Sequence, residues 1–349
     1  MTDSLHHRSD APILIVGGYG TVGTALTHLA APEFPLLLAG RNPAGGAELA
    51  RTHGVSVRRW DLDDPTPFDA TVRAVVSTVN DPHDRVLRAC IEAAVPYVDV
   101  TRWAGRLARA ATLAGHLAPT SPVYLSSGWM GGVTNLVAAA LVHDLGGADE
   151  ITTSIRYDTN DKAGRDSVDF MDRLGQDYEV MLRGNPITVS PLTDTTWVEF
   201  PGSKTKVARI DTPEQLTFPL TLNVETATTR IGFSSNVSTN LLLAAKRAGL
   251  FRWGRGDRFT PLRRALLYSP GTGGSAQIRI DVSGPHGAAS AVVVDPNGQA
   301  HLTAVGGYLA LLRILGTDMR PGIAFPESVP HPERIIGELE KHGVAVLRT

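Results

Sequence analysis

The feature that most constrains this chain is an apolar run, Ile13-Leu14-Ile15-Val16, that stops at Gly17-Gly18-Tyr19-Gly20-Thr21-Val22-Gly23 and passes into a segment of helical period. A buried strand ending in a glycine turn that opens a helix reads as the first βα unit of a doubly wound sheet. Gly18, Gly20 and Gly23 fit the spacing in which one glycine permits the turn, the next lets the backbone approach a pyrophosphate, and the third brings helix close to strand. Gly17, Gly20 and Gly23 fit equally well. The amides at the helix start are then free to hold phosphates, and Gly18, Tyr19, Gly20, Thr21, Val22 and Gly23 are assigned to a dinucleotide.

The same rhythm continues to about residue 126. The runs LLLAG, VSVRRW, AVVSTV, PYVDV and PVYLS bring the expected strands to six. Between them, Val22, Leu26 and Leu29 mark one helical stripe, and Val86, Leu87, Cys90, Ile91 and Ala94 mark another. Parallel neighbours need crossovers, and helices supply them. Beyond residue 126 the pattern changes: SGWMGG at 127–132 leads into an apolar helix from Val133 to Leu145, and threonine-rich segments of period two follow. ITTSIRYD, TLNVETATT, AQIRIDVSG and SAVVVDP, with turn signals at Gly284-Pro285 and Pro296-Asn297-Gly298, predict a mostly antiparallel sheet. Helical stretches are expected near 236–249, 303–315 and 332–342. The expected architecture is therefore α/β: a Rossmann-type doubly wound parallel sheet with a second α+β domain built on a mostly antiparallel sheet. Residues 1–11 read as a flexible leader, 12–130 as the dinucleotide-binding domain, and 131–305 as a substrate and dimerisation domain. Residues 306–349 read as C-terminal helices able to return to the first domain.

Composition removes several alternatives. Lys and Arg number 33 against 35 Asp and Glu in 349 residues, a net charge of −2, so the electrostatic footprint of a nucleic-acid or anionic-membrane binder is missing. One cysteine, Cys90, allows no internal disulfide and no cysteine-based zinc cluster. The N-terminus lacks the basic, apolar, small-residue order of a signal peptide, and a cytoplasmic location is expected. No run approaches the roughly 18 apolar residues that cross a bilayer. His28, His53, His83, His116 and His143 show no ligand spacing and no H-E-x-x-H occurs, so no metal is expected. There is no G-x-S-x-G elbow, and no tyrosine is followed four residues later by lysine, which speaks against the acid pair of short-chain dehydrogenases.

The choice of dinucleotide falls at the end of the second strand. Arg41 stands 18 residues past Gly23, near the usual acidic position, where its planar fork suits a 2′-phosphate; this favours NADP(H) over NAD(H), the alternative being a solvated arginine. Asp61 and Asp63 are placed to receive the adenine amino group or to form a turn before Pro65. In the segment from Ser77 to Pro82, Thr78 and Asn80 either line the nicotinamide ribose or cap the next helix. Tyr157, Asp158, Lys162 and Arg165 form a polar cluster that either grips a substrate carboxylate or is a solvated loop.

GGYGTVG, the AGR ending of strand two, RACIEAAVPYVDVT, and the glycine loop leading into an apolar helix with Asn135 together resemble the saccharopine dehydrogenase-like oxidoreductases. The likeness is best over about residues 12–140, with an echo in GFSSNVSTNLLLA and PGIAFPE. The resemblance implies an NADP(H)-binding domain joined to a substrate and dimerisation domain, chemistry at a carbon–nitrogen bond of a small molecule, a homodimer, and a substrate-side aspartate matching Asp99. Asp99 then steadies the positive charge of an iminium, or else caps a helix starting near Arg102 or Trp103. Thr101 and Ser127 are the companion hydrogen-bonding candidates, although hydroxyls in such loops more often satisfy backbone. The chain departs from the family where a Gly-x-Asp-Pro-Gly stretch, often preceded by cysteine, is replaced by Ser127-Gly128-Trp129-Met130-Gly131-Gly132. Saccharopine itself is therefore not the implied substrate, and Trp129 suits a flatter or more apolar one unless it is a core or interface residue. The expected activity is NADPH-dependent reduction of an imine, or its reverse; the alternative is a non-catalytic NADP(H)-binding sensor.

Overall fold

The computed structural model describes residues 3–161, 173–249, 251, 271, 273–317 and 319–348. The chain divides into two compact units, Met1–Val133 with Thr303–Pro330, and Thr134–Leu302 with His331–Thr349.

The first unit is built on seven parallel strands. Ile13–Val16 lies inside the sheet, Leu36–Gly40 and Ser56–Arg59 step outward on one side, and Ala74–Ser77, Tyr97–Asp99, Pro122–Tyr124 and Gly322–Ala324 step outward on the other. The order reverses between Ile13–Val16 and Ala74–Ser77, the switch point at which doubly wound sheets open a crevice. Ile13–Val16 and Ala74–Ser77 are buried at every position, as strands covered on both faces must be. The helix Thr21–Ala30 buries Gly23, Leu26, Thr27 and Ala30, and Arg85–Glu92 buries its Val86, Leu87, Cys90 and Ile91 stripe. That stripe stops short of Ala94, where the backbone turns at φ 52°. Ala304, Tyr308, Leu311 and Ile314 enter the same core as Ile13, Ile15 and Leu38.

Two expectations need correction here. The leader is not wholly unstructured: Ser4–His7 pairs in parallel with Asp69–Val72. Asp3 clamps it, accepting from Arg85 Nε at 2.5 Å and Nη2 at 2.7 Å. The segment after 306 is not only helical, because Gly322–Ala324 and Ala345–Arg348 each add a strand to one of the two large sheets. Strands of three or four residues are too short to show a period.

The second unit carries a seven-stranded mixed sheet in the order Thr196–Phe200, Ser203–Arg209, Thr226–Phe233, Glu150–Tyr157, Ala276–Gly284, Gly287–Asp295, Ala345–Arg348. Every pairing is antiparallel except that of Thr226–Phe233 with Glu150–Tyr157. The expected mostly antiparallel sheet is thus present. The Gly284–Gly287 turn joins two nine-residue strands in register. TLNVETATT becomes a strand only from Thr226, because Leu222 caps the helix Glu214–Thr221. The helix Thr134–Leu145 buries its first eight residues. No described helix is long and apolar enough to cross a membrane.

Candidate functional site

The glycine turn sits at the carboxyl end of Ile13–Val16, beside the switch point. Gly17 has φ +82°, a conformation that a side chain disfavours, and a Cβ there would also meet Thr78 Oγ1 at 2.7 Å. Gly23 is required for a different reason: a Cβ on it would collide with the Gly17 carbonyl oxygen and lie 2.7 Å from Gly18 Cα, so helix and strand approach as the third glycine of the pattern demands. Gly20 differs from both, since its Cβ would meet only the Gly17 oxygen at 3.3 Å. It is the N-cap of Thr21–Ala30 and supplies no side-chain cap. The first intrahelical bond runs from Thr24 N–H to Gly20 C=O at 2.8 Å. The amides of Thr21, Val22 and Gly23 precede it and point out of the helix start, where an anion would be held. Thr27 donates to the Gly18 carbonyl and Thr78 to the Val16 carbonyl, each at 3.0 Å, which fixes the loop from below.

At the end of Leu36–Gly40, Tyr19 lies across Gly40 and Gly46; a Cβ on Gly46 would be 3.0 Å from the Tyr19 ring. Burial pushes the Tyr19 phenol above its ordinary pKa. Arg41 is exposed and forms no hydrogen bond or ion pair among the described residues. Its neighbour Asn42 is committed to the turn, accepting from Ala44 N–H at 3.3 Å. Asp61 takes the turn role: it accepts from Asp63 N–H and from Arg59 Nη2, both at 3.3 Å. Asp63 is exposed.

The loops after Ala74–Ser77, Tyr97–Asp99 and Pro122–Tyr124 are tied together by a buried ionic network. Asp99 is 2% exposed; its Oδ2 accepts from Arg102 Nε at 2.5 Å, its Oδ1 from Ser126 N–H at 2.8 Å, and its main-chain oxygen from Ser127 N–H at 2.7 Å. Arg102 Nη1 continues to Asp84 Oδ1 at 2.6 Å, and Arg109 Nε binds Asp84 Oδ2 at 2.8 Å. Burial works against the Arg102 charge, yet Asp99 and Asp84 outweigh it and hold its pKa above the ordinary value. The helix expected near Arg102 starts at Ala104 with Trp103 as N-cap and no side-chain cap, so Asp99 does not cap it. Thr101 donates to the Val79 carbonyl at 3.0 Å and Ser127 to the Gly306 carbonyl at 2.9 Å, so both hydroxyl protons serve the backbone.

Four residues of this region carried no readable signal. Asp84 and Ser126 adopt left-handed backbone, at φ 53° and 64°, a conformation uncommon outside glycine and in the serine a mark of local strain. The Ser126 hydroxyl is buried without a hydrogen-bond partner among the described residues. Arg102 and Arg106 look like ordinary helix-start arginines, and only the fold brings them to Asp84. Thr78, Thr101, Asp99 and Ser127 gather at the carboxyl edge of the sheet with Asn80, while Trp129 is half-buried in the glycine loop. Elsewhere, the Tyr157 hydroxyl accepts from Gln299 Nε2 at 3.2 Å, and Asp158 binds the amides of Asn160 and Ser275 at 3.0 and 3.2 Å as a turn-forming carboxylate. Lys162 and Arg165 lie outside the described residues.

No protein-family model matches the chain, and no curated protein matches it in sequence. Among solved structures it is similar to apo saccharopine dehydrogenase (L-Glu forming) from Saccharomyces cerevisiae, with a TM-score of 0.64, 14% identity, and coverage of 97% of this chain and 99% of that one. Matches also include a myo-inositol dehydrogenase from Corynebacterium glutamicum at TM-score 0.45 and 13% identity, covering 99% and 98%. Biliverdin reductase from Synechocystis sp. matches at TM-score 0.40 and 12% identity, covering 94% and 95%. At such identity the likeness is one of fold: a Rossmann-type parallel sheet and a second, mixed-sheet domain, matched over nearly the whole of both chains.

Proposed function

We propose that the chain is an NADP(H)-dependent oxidoreductase that acts on a carbon–nitrogen bond of a small metabolite, by imine reduction or the reverse. The observation that carries this reading is the glycine turn at the switch point, where Gly23 is packed against Gly17 while Gly20 stays open in front of three helix-start amides. Arg41, exposed and uncommitted immediately after Gly40, is the group assigned to the 2′-phosphate. The residues present therefore fit the dinucleotide. NADPH supplies a hydride when bound; the protein's own work is to orient the substrate and hold its polar groups.

In that work Asp99 is a positioning residue. Its carboxylate fixes Arg102 on one side and the Ser126-Ser127 turn on the other, and with that turn it holds the buried Ser126 hydroxyl in place. That hydroxyl is the group we assign to a hydrogen bond with the substrate. The resemblance of GGYGTVG, RACIEAAVPYVDVT and the glycine loop to saccharopine dehydrogenase-like oxidoreductases motivates the carbon–nitrogen assignment and the homodimer, and we assign the small-molecule substrate to the carboxyl edge of the first sheet. The full engagement of the Asp99 carboxylate supports a second reading, an NADP(H)-binding sensor without turnover. Calorimetric titration with NADPH and NADH, followed by NADPH oxidation assays over a panel of amine–carbonyl pairs, separates the two. Binding with turnover supports the enzyme, binding without turnover supports the sensor, and no heat with either nucleotide overturns both.

A further inference from the structure

Three guanidiniums surround the Asp84 carboxylate, which has only two oxygens to offer. Arg102 holds Oδ1 at 2.6 Å and Arg109 holds Oδ2 at 2.7 to 2.8 Å. Arg106 is left with Nη2 at 3.7 Å from the oxygen already taken by Arg102, beyond hydrogen-bonding range. Its side chain is only 7% exposed, and its Nε and Nη1 are buried without a hydrogen-bond partner among the described residues. The guanidinium carbon lies 5.1 Å from the centre of the Trp103 ring, so an aromatic face occupies one side of the cation. Arg106 is the third residue of Ala104–Leu117, at the helix start that adjoins the carboxyl edge of Tyr97–Asp99. Burial first, and then the nearby Arg102 charge, lower its pKa from the ordinary value, so the cation is held in a site that disfavours it.

A buried guanidinium that makes no hydrogen bond of its own, with Asp84 only at ion-pair distance and the Trp103 ring on one side, is a costly arrangement, and it persists where another molecule completes it. We propose that Arg106 anchors a carboxylate subsite, and that the substrate of this chain carries a carboxylate group seated on that guanidinium. The choice of a carboxylate over a phosphate follows from shape and charge: one planar cation with an aromatic wall matches one planar monoanion. A phosphate would bring a second negative charge into a cluster that already holds the carboxylates of Asp81 and Asp84. Assigning the anion to the substrate rests on the oxidoreductase reading; the affinity of Arg106 for a carboxylate does not.

The test is made on the full-length protein without coenzyme, using glutarate as the probe, with glutaramide and inorganic phosphate as controls. Glutarate should raise the melting temperature and alter tryptophan emission, and glutaramide should do neither. In Arg106→Met the glutarate response should vanish, a loss of roughly tenfold to 100-fold in affinity, while the melting temperature stays level or rises because a buried charge without hydrogen bonds is gone and Asp84 keeps Arg102 and Arg109. Arg106→Lys keeps the charge without the planar fork, and should bind glutarate more weakly than wild type even if the methionine variant fails to fold. An unchanged glutarate response in either variant overturns the subsite. So does a wild-type protein indifferent to glutarate, and a response to phosphate alone would replace the carboxylate with a different occupant. NADPH titration of the same samples keeps the two readings apart: glutarate binding without NADPH binding preserves the subsite and defeats the oxidoreductase, and the converse defeats only the subsite.

Discussion

Replacing Gly20 and Gly23 in turn separates a phosphate-binding turn from a merely tight one. A methyl group on Gly23 must displace the Gly17 carbonyl oxygen and stands 2.7 Å from Gly18 Cα, both backbone atoms with no rotamer to move. The helix has to retreat, and overpacking of this kind costs about 1–3 kcal/mol. For a unit of this size each kcal/mol shifts the melting temperature by about 2–4 °C, so Gly23→Ala should melt roughly 2–12 °C lower. The same methyl on Gly20 meets only one oxygen at 3.3 Å, and its φ of −77° suits alanine. There the entropy removed from the unfolded chain, about 0.4–1 kcal/mol, offsets the weaker N-cap preference of alanine, and stability should hold within about 1 kcal/mol. Yet that methyl stands at the N-cap, directly before the Thr21, Val22 and Gly23 amides in the chain, where a bound phosphate would approach. Displacing the anion from even one charge-assisted bond worth about 1.5–3 kcal/mol lowers NADPH affinity roughly tenfold to 100-fold. Differential scanning fluorimetry and calorimetric titration of the two variants give the four numbers. Gly20→Ala that binds NADPH like wild type would mean that the turn is only a turn, and the functional argument built on it would fail.

Arg41→Glu should weaken NADPH by roughly tenfold or more while leaving NADH nearly unchanged; equal losses measured by titration would show that the 2′-phosphate is held elsewhere. Asp99→Ala takes one of its two carboxylates from Arg102 and leaves the Ser126 amide without its acceptor, so urea denaturation should register a loss of about 1–3 kcal/mol, with Asp99→Asn milder. An unchanged urea midpoint together with abolished turnover would instead make Asp99 a chemical participant. Asp3→Ala should strip hydrogen-exchange protection from residues 4–7, since Arg85 then has no carboxylate to hold that strand; protection that survives would assign the anchoring to the strand pairing alone. Hydrogen bonds from Arg209 and Arg230 hold the Asp194 carboxyl below its ordinary pKa, so its contribution is present above the unfolded value and fades as pH falls through the folded one. Asp194→Asn should flatten the acid limb of a stability profile taken between about pH 3 and 6, and an unaltered slope would refute the linkage.

Five of the six strands of the first sheet from Ile13 to Tyr124 were legible because buried parallel strands are near-continuous apolar runs; the mostly exposed edge strand Ser56–Arg59 was legible only through the run around it. Gly322–Ala324 was not, being three half-buried residues at the sheet edge, nor was Ser4–His7, whose two histidines are exposed. In the second unit YEVML, TWVEF and SKTKVAR carry charges on their outer faces, and only pairing with their neighbours makes them strands. The glycine turn was readable because its spacing is set within the turn itself, Gly20 and Gly23 answering to Gly17 and Gly18, even though Gly17 also meets Thr78. The network around Asp99 was not, since Asp84, Arg102 and Ser126 come from three different loops and two of them adopt backbone that their residue types seldom take.

The first unit collects its core from both halves of the chain: Ala304, Tyr308, Leu311 and Ile314 pack with Ile13 and Leu38, and the last strand of its sheet ends at Ala324. On the ribosome, then, the amino-terminal third emerges with an unfinished interior and must wait for some two hundred further residues before its apolar wall can close. A fragment stopping near residue 133 would expose that wall permanently, and its solubility without a chaperone would be poor.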